Sequence, residues 1–195
     1  MITKILVRLV AWAVLGYMLL PLVVILGVSV TATSFLAFPP QGWTLDWYAK
    51  MLSDPSYVAS FATSTVLALV ATLVAVLLSV PAALAMARYD FRGKATILAA
   101  LTSPLVFPHI VLGAALLQFG GYFGLTRSFL ALLIGHTIII SPFVLRSVLS
   151  MLTPEQRALE EASSDLGGTP WATFFLVVLP QIRPGIITAC IFVFV

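Results

Sequence analysis

The chain has 195 residues, of which 61% are hydrophobic and only 9% are charged, whereas about a quarter of the residues of ordinary soluble domains are charged. So much apolar surface cannot be buried in a single soluble core, so the chain requires lipid. The net charge of +3 forms no basic stripe of the kind that binds nucleic acid. The single cysteine, Cys190, lies inside an apolar run, which excludes a disulfide framework or a cysteine metal cluster.

The N-terminus resembles a secretory signal at first sight, because Lys4 and Arg8 precede an apolar run. That run extends from Leu9 to Val30 and exceeds the roughly 7–15 apolar residues of a cleaved signal. We therefore predict a membrane helix that is retained in the protein.

Five apolar stretches are long enough to cross a bilayer, which takes about 20 residues of helix. They lie near residues 9–30, 58–87, 95–119, 128–149 and 173–195. In hydrocarbon each backbone N–H and C=O must be paired within the segment, and a helix achieves this pairing. The sequence therefore predicts an all-α, polytopic membrane helical bundle.

The positive residues predict the orientation, because cytoplasmic loops collect Lys and Arg. If the N-terminus is cytoplasmic, eight of the ten lie inside: Lys4, Arg8, Arg88, Arg92, Lys94, Arg146, Arg157 and Arg183. Only Lys50 and Arg127 lie outside. The polar segment 153–171 is then cytoplasmic, and the aromatic-rich loop from Thr33 to Tyr57 faces outward.

Prolines interrupt two of the expected helices. Pro104 and Pro108, with Gly113, fall in the third stretch, and Pro142 falls in the fourth. Since proline lacks a backbone donor and clashes with the preceding turn, we expect both helices to kink. Broken helices line the pathway of many transporters, but a plain kink without such a role fits these residues equally well.

The last apolar run reaches Val195 without a polar flank. A natural membrane protein rarely ends inside the bilayer. We therefore expect that the protein is truncated here at its C-terminus and that the fifth span is incomplete.

The polar segment between the fourth and fifth stretches carries strong helix signals. Thr153-Pro154-Glu155-Gln156 supplies an N-cap, a proline for the first helical position, an acidic residue for the positive end of the dipole and a capping-box partner. Gly167 can adopt the left-handed conformation that ends the helix, and Thr169-Pro170 repeats the start signal. We predict two short helices at an angle.

The first of these helices is amphipathic. Its apolar stripe consists of Ala158, Leu159, Ala162 and Leu166, and its carboxylates are Glu155, Glu160, Glu161 and Asp165. No His or Cys accompanies these carboxylates, so we expect a docking surface rather than acid–base catalysis. Inside the spans, His109 and His136 are the most polar side chains, and we expect interhelical hydrogen bonds from them rather than solute binding.

Two segments of this region resemble a known motif. Glu161-Ala162-Ser163-Ser164-Asp165-Leu166-Gly167, nine residues, and then Val177-Val178-Leu179-Pro180 resemble the EAA motif of binding-protein-dependent ATP-binding cassette (ABC) importer permeases. Ser163 stands where the motif usually has alanine, and Val177 where it usually has isoleucine. The spacing matches throughout, which makes the pattern much more specific than a lone glycine-rich loop.

The resemblance covers most of the chain. Segments similar to the spermidine/putrescine subgroup are Phe38–Thr44, Trp47-Tyr48, Ala87–Lys94 and Ser103–Val106. It implies a type I (MetI-like) importer permease fold with a core at 58–195, preceded by an N-terminal helix and extracytoplasmic loop at 1–57. The cytoplasmic coupling segment would be 152–172.

The resemblance also implies a function. The chain would be a permease subunit in a bacterial cytoplasmic (inner) membrane that imports polyamines together with separate ATP-binding subunits, a second permease subunit and an extracytoplasmic solute-binding protein. The positions implied to couple to the ATPase are Glu161, Ala162, Ser163, Gly167, Val177, Leu179 and Pro180. The sequence has no Gly-x-x-x-x-Gly-Lys-Ser/Thr phosphate loop, so ATP hydrolysis is expected on a partner, and no cofactor or metal is expected.

Three alternatives remain open. The solute could be another small molecule, because the expected spans contain no Asp or Glu to bind a polyamine. A secondary transporter would need intramembrane charges and repeat symmetry. A membrane scaffold would leave the capped polar segment unexplained.

Overall fold

A computed structural model of the chain describes residues 2–125 and 128–194. Two residues named above, Arg127 and Val195, lie outside the described residues. In the described part the helices are α1 (Ile2–Ser29), α2 (Asp46–Ser53), α3 (Pro55–Arg88), α4 (Lys94–Thr102), α5 (His109–Tyr122), α6 (Phe129–Leu149), α7 (Pro154–Asp165), α8 (Pro170–Thr173) and α9 (Leu179–Phe194). A 3₁₀ turn (Ser103–Leu105) follows α4, and a π-helical turn (Phe174–Val178) joins α8 to α9.

Four helices of the described part are long and apolar enough to span a membrane. They are Thr3–Ser29, Pro55–Arg88, Phe129–Leu149 and Pro170–Phe194. A fifth span is possible if Lys94–Leu105 and His109–Tyr122, which meet at a bend of 104°, form one broken crossing. The prediction of an all-α protein with several membrane spans is confirmed.

The break expected at the prolines of the third stretch is present. Pro104 lies in the 3₁₀ turn, and Pro108 directly precedes α5 with an extended ψ of 129°. Proline lacks the N–H that a continuing helix needs, and it disfavours helical geometry at Phe107 before it. The helix therefore stops and restarts in a new direction.

Pro142 does not end its helix, and the kink expected there stays a prediction. This residue lies inside the continuous helix α6, and its side chain is fully buried. Next to it, the Ser79 hydroxyl of α3 donates a hydrogen bond to the Ser141 carbonyl at 3.1 Å. Packing of neighbouring helices around a proline can hold a membrane helix together despite the lost backbone bond.

The chain forms two compact units, Met1–Ala62 and Thr63–Val195. In the first unit the loop after α1 is fixed by polar contacts. The Trp47 indole N–H donates to the Thr31 carbonyl at 3.0 Å, and the Tyr48 hydroxyl donates to the Ser29 hydroxyl at 2.7 Å. The apolar side chains along α1 are exposed, as expected of a helix in lipid.

In the second unit α3, α6 and α9 share one apolar core. Its fully buried members include Ala75 and Ala83 of α3, Val144 and Val148 of α6, and Ile182 of α9. Small side chains let the backbones of membrane helices approach closely, which favours dispersion contacts where no hydrophobic effect drives helix association. This core holds the ends of α6 and α9 from which the polar segment emerges.

Gly185 of α9 lies in close contact with the end of α6. The Ser147 hydroxyl donates to the Gly185 carbonyl at 2.8 Å. A Cβ atom added at Gly185 would lie 2.6 Å from the Met151 Cγ atom and 3.0 Å from the Ser147 carbonyl oxygen. A side chain at this position would therefore push the two helices apart.

We expect Gly185→Ala to lower the free energy of unfolding by about 1–3 kcal/mol, the usual cost of overpacking a close-packed core. Gly113→Ala is the matched control, because a Cβ there meets no atom within 4 Å. Thermal denaturation of both variants in detergent micelles measures the difference. Equal stabilities would contradict the close α6–α9 contact.

Candidate functional site

The polar segment between the last two spans forms a capped helix followed by a sharp turn. We call residues 154–173, which comprise α7, the turn and α8, the elbow. At its start the Thr153 N–H donates to the Gln156 Oε1 atom at 3.4 Å, as in a capping box. Pro154 occupies the first helical position. A hydrogen bond from the Thr153 side chain lowers the pKa of Glu155, whose charge favours the helix N-terminus. The expected helix start is confirmed.

The end of α7 is a Schellman turn. Gly167 has a φ of +83°, the left-handed conformation in which most side chains are strained. The Gly168 N–H donates to the Ser163 carbonyl and the Gly167 N–H donates to the Ser164 carbonyl, both at 2.9 Å. These bonds pair the last carbonyls of the helix. The expected left-handed cap at Gly167 is confirmed.

Gly168 is a second constrained glycine that the sequence reasoning missed. A Cβ atom here would lie 2.7 Å from both the carbonyl oxygen and the hydroxyl of Ser163, and 3.2 Å from the Thr173 hydroxyl. The double glycine in the sequence was the available signal. Only Gly167 was expected to matter, because the crowding at Gly168 arises from the folding of the turn.

The two arms of the elbow are joined by a hydrogen bond. The Ser163 and Thr173 hydroxyls lie 2.9 Å apart, and Thr173 is buried. The Thr169 hydroxyl accepts the Ala172 N–H at 3.2 Å and so caps α8. Ser163, which replaces the usual alanine of the motif, thus fixes the angle between α7 and α8.

The second short helix is not a separate element. Residues 170–194 form one helix, of which α8 is the first turn. The π-helical turn Phe174–Val178 ends just before Pro180, which lies exposed near the start of α9. A π-helical turn accommodates a proline that cannot make the normal backbone bond. The prediction of two short helices is therefore wrong for the second one.

The structure divides the predicted coupling residues into two groups. Glu161, Ala162 and Gly167 are exposed on the elbow, and Ser163 is half-buried beneath them. Val177, Leu179 and Pro180 lie in the last span, where Leu179 packs against the apolar core. The first group can meet a partner directly, whereas Leu179 helps to anchor the elbow in the membrane domain.

The apolar stripe of the elbow is uncovered. The exposed fraction is 55% for Leu159, 90% for Leu166 and 74% for Trp171. The Trp171 ring stacks on Phe175 at 6.1 Å between centroids, which orients it. An exposed apolar patch with charged neighbours is typical of a protein interaction site.

Two ion pairs involve the carboxylates of α7. Arg88 Nη2, at the end of α3, lies 2.6 Å from Glu160 Oε2, and both side chains are partly buried. Arg157 Nε lies 3.2 Å from Glu161 Oε1 on the exposed face. Exposed pairs of the second kind contribute little to stability. A cavity of about 440 Å³ beside the Arg88–Glu160 pair is lined by Arg88 and Tyr89 on one side and by residues of the elbow on the other.

Within the described part of the chain, His136 makes an intrahelical hydrogen bond instead of the interhelical one that we expected. Its Nδ1 atom lies 2.8 Å from the Leu132 carbonyl, one turn earlier in the same helix. Because a carbonyl only accepts, Nδ1 must donate. The Leu132 carbonyl, four residues earlier in the sequence, gives one of the two ring nitrogens a hydrogen-bond partner within the same helix.

We expect Gly168→Ala to loosen the elbow, because its Cβ meets a backbone oxygen that cannot move without breaking the Schellman turn. Amide hydrogen exchange in α7 should accelerate by about tenfold or more, which corresponds to about 1.4 kcal/mol. Gly167→Asn is the control, since asparagine tolerates the left-handed conformation. Unchanged exchange in Gly168→Ala would contradict the crowding at this turn.

Three curated relatives illustrate the similarity to known proteins. The putrescine transport system permease protein PotI of Escherichia coli (strain K12) is 31% identical over 162 residues, which cover 78% of this chain and 57% of that protein. The spermidine/putrescine transport system permease protein PotC of the same strain is 28% identical, covering 89% of this chain and 66% of that protein. The trehalose transport system permease protein SugB of Mycobacterium tuberculosis (strain CDC 1551 / Oshkosh) is 30% identical, covering 94% and 70%.

The chain thus spans about three fifths of the length of PotI and about two thirds of that of PotC. Residues 79–195 match the family described as binding-protein-dependent transport system inner membrane component. The matched region contains the broken helix, the elbow and the last described span. This chain belongs to the family of inner membrane components of binding-protein-dependent transport systems.

Proposed function

We propose that this chain is a permease subunit of an ATP-driven importer and that its elbow binds a separate ATP-binding subunit. The observation that carries the proposal is an ordered, capped amphipathic helix, placed between two spans, whose apolar stripe is uncovered. A chain that only anchors in the membrane has no need of such an element. Membership of the transport family supports the same conclusion.

The surface of the elbow suits a protein partner better than lipid. Leu159, Leu166 and Trp171 are exposed together with Glu161 and Asp165 on an element of low overall hydrophobicity. Carboxylates of this kind are costly to bury among lipid tails. A groove in a protein can cover the apolar residues and pair the charges at its rim.

The elbow is built to transmit force. Coupling requires that each nucleotide state of the ATPase favours one conformation of the permease through a difference in binding free energy. A flexible docking segment would absorb that difference by local movement. The Schellman turn and the Ser163–Thr173 hydrogen bond hold the two arms at a fixed angle. ATP hydrolysis itself falls to the partner, because this sequence lacks a phosphate loop.

We infer that the N-terminus and the elbow are cytoplasmic. Eight of the ten positive residues fall on this side under that orientation. The ion pair between Arg88 and Glu160 agrees with this count, because both residues belong to the side that we assign to the cytoplasm. An ATP-binding partner is available only there.

For the solute we propose a polyamine. The support is the similarity to proteins named as putrescine and spermidine/putrescine permeases. All seven acidic residues lie outside the expected spans, so carboxylates for a cation would come from the second permease subunit or from the solute-binding protein. A neutral sugar is the second candidate, because the trehalose relative covers more of the chain and these spans carry no acidic residue.

We expect Leu166→Glu to abolish co-purification of the ATP-binding subunit with this chain, because a charge would enter the apolar contact. Leu36→Glu is the matched control: its side chain is 88% exposed, like the 90% of Leu166, but it lies in the loop after α1. The same two variants are then compared for uptake of labelled putrescine, spermidine and trehalose in cells.

Uptake of a polyamine by the wild type and by Leu36→Glu, lost in Leu166→Glu, is the expected result. Uptake of trehalose alone would show that the solute is a sugar rather than a polyamine, and the proposed importer function would still stand. Normal ATPase binding by Leu166→Glu at normal expression would contradict the role of the elbow.

A further inference from the structure

We propose that the ion pair between Arg88 and Glu160 is the link through which movement of the elbow reaches the transmembrane helix α3. The inference rests on the proposed function, because it presupposes that an ATPase moves the elbow. It assigns a positioning role to two residues that lie outside the motif positions discussed above. Both residues act through the helices that carry them.

The first support is how loosely α7 is packed. No residue of α7 is fully buried, and a cavity of about 440 Å³ lies between it and the end of α3. The apolar side chains of α7 are exposed, so they offer little contact through which a push could reach α3. The connection across this gap that the structure shows is the side-chain pair, with 2.6 Å between Arg88 Nη2 and Glu160 Oε2.

The second support is the environment of the pair. The exposed fractions of the side chains are 31% for Arg88 and 17% for Glu160, against 62% and 67% for the neighbouring pair Arg157–Glu161. Water screens a partly buried pair less than an exposed one, so separating its charges is more costly. Glu160 also contacts the end of α3. The next residue, Glu161, remains exposed on the outer face of α7, which we call the docking face.

The third support is the guanidinium group itself. Arg88 Nε is buried and has no hydrogen-bond acceptor among residues 2–125 and 128–194. Glu160 is thus the charged partner that holds this group in place. If the elbow moved away without α3, Arg88 would be left partly buried and without its carboxylate, which is unfavourable. If α3 moves together with the elbow, the ion pair between Arg88 and Glu160 stays intact.

Two side-chain contacts attach α7 to two different membrane helices. The Ser163–Thr173 hydrogen bond ties α7 to the start of the last span, and the ion pair ties it to α3. A displacement of α7 therefore reaches two membrane helices at once. Loss of the ion pair should leave the docking face intact and disconnect only α3.

The test uses charge reversal in the assembled transporter. Arg88→Glu, Glu160→Arg and the double variant are reconstituted with the ATP-binding and solute-binding subunits. Two quantities are measured: the amount of ATPase that co-purifies and the number of solute molecules transported per ATP hydrolysed. Asp90→Lys is the control, because the Asp90 side chain is 99% exposed and pairs only with Lys94 at the start of α4 among the described ion pairs.

We expect both single variants to bind the ATPase normally but to transport at least tenfold less solute per ATP, and the double variant to recover most of the loss. A merely structural role would lower ATPase binding together with transport, whereas the proposed role lowers only the solute transported per ATP. If a reversed variant fails to assemble, Glu160→Gln and Glu160→Asp replace it, with the loss expected only in Glu160→Gln.

Normal coupling in the single variants, or no recovery in the double variant, would overturn the inference. Either result would leave the proposed function standing, provided that the wild type binds the ATPase and transports. Failure of the wild type to bind any ATPase would instead contradict the proposed function.

Discussion

Hydrocarbon offers no hydrogen-bond partner to a peptide group, and this constraint shapes the whole chain. It forces the apolar stretches into helices and confines irregular backbone to a few places. One is the bend after Leu105, where two prolines disfavour a continuous helix. Another is the elbow, where capping residues pair the backbone groups at both ends of α7. The latter carries the function that we propose.

The turn of the elbow is rigid, and its apolar side chains are exposed. Its turn is fixed by backbone hydrogen bonds to two glycines and by one pair of hydroxyl groups, so the angle between its arms does not depend on a partner. Its apolar side chains, in contrast, are left exposed by residues 2–125 and 128–194. A rigid element with an uncovered face is suited to receive motion from another protein. Family membership places that element in a transport system.

Much of this could be predicted from sequence because it depends on local chemistry. Hydropathy located the spans, and capping residues located α7 and the turn at Gly167. What the sequence missed depends on contacts that form only when the chain folds. Crowding at Gly168 arises only when Ser163 and Thr173 meet around it. The pair of Arg88 and Glu160 joins residues 72 positions apart, and no local pattern indicates it. Pro142 lies inside a continuous helix, and its packing against α3 is likewise not visible in the sequence.

The central claim is that an ATP-binding subunit binds the elbow on the cytoplasmic side of the membrane. A photo-reactive amino acid at Ala162, which is exposed on α7, tests it most directly in membranes that contain the assembled transporter. The account predicts a cross-link to the ATP-binding subunit whose yield changes when ATP is added. Cross-links to lipid or to an external protein, with none to the ATPase, would contradict it.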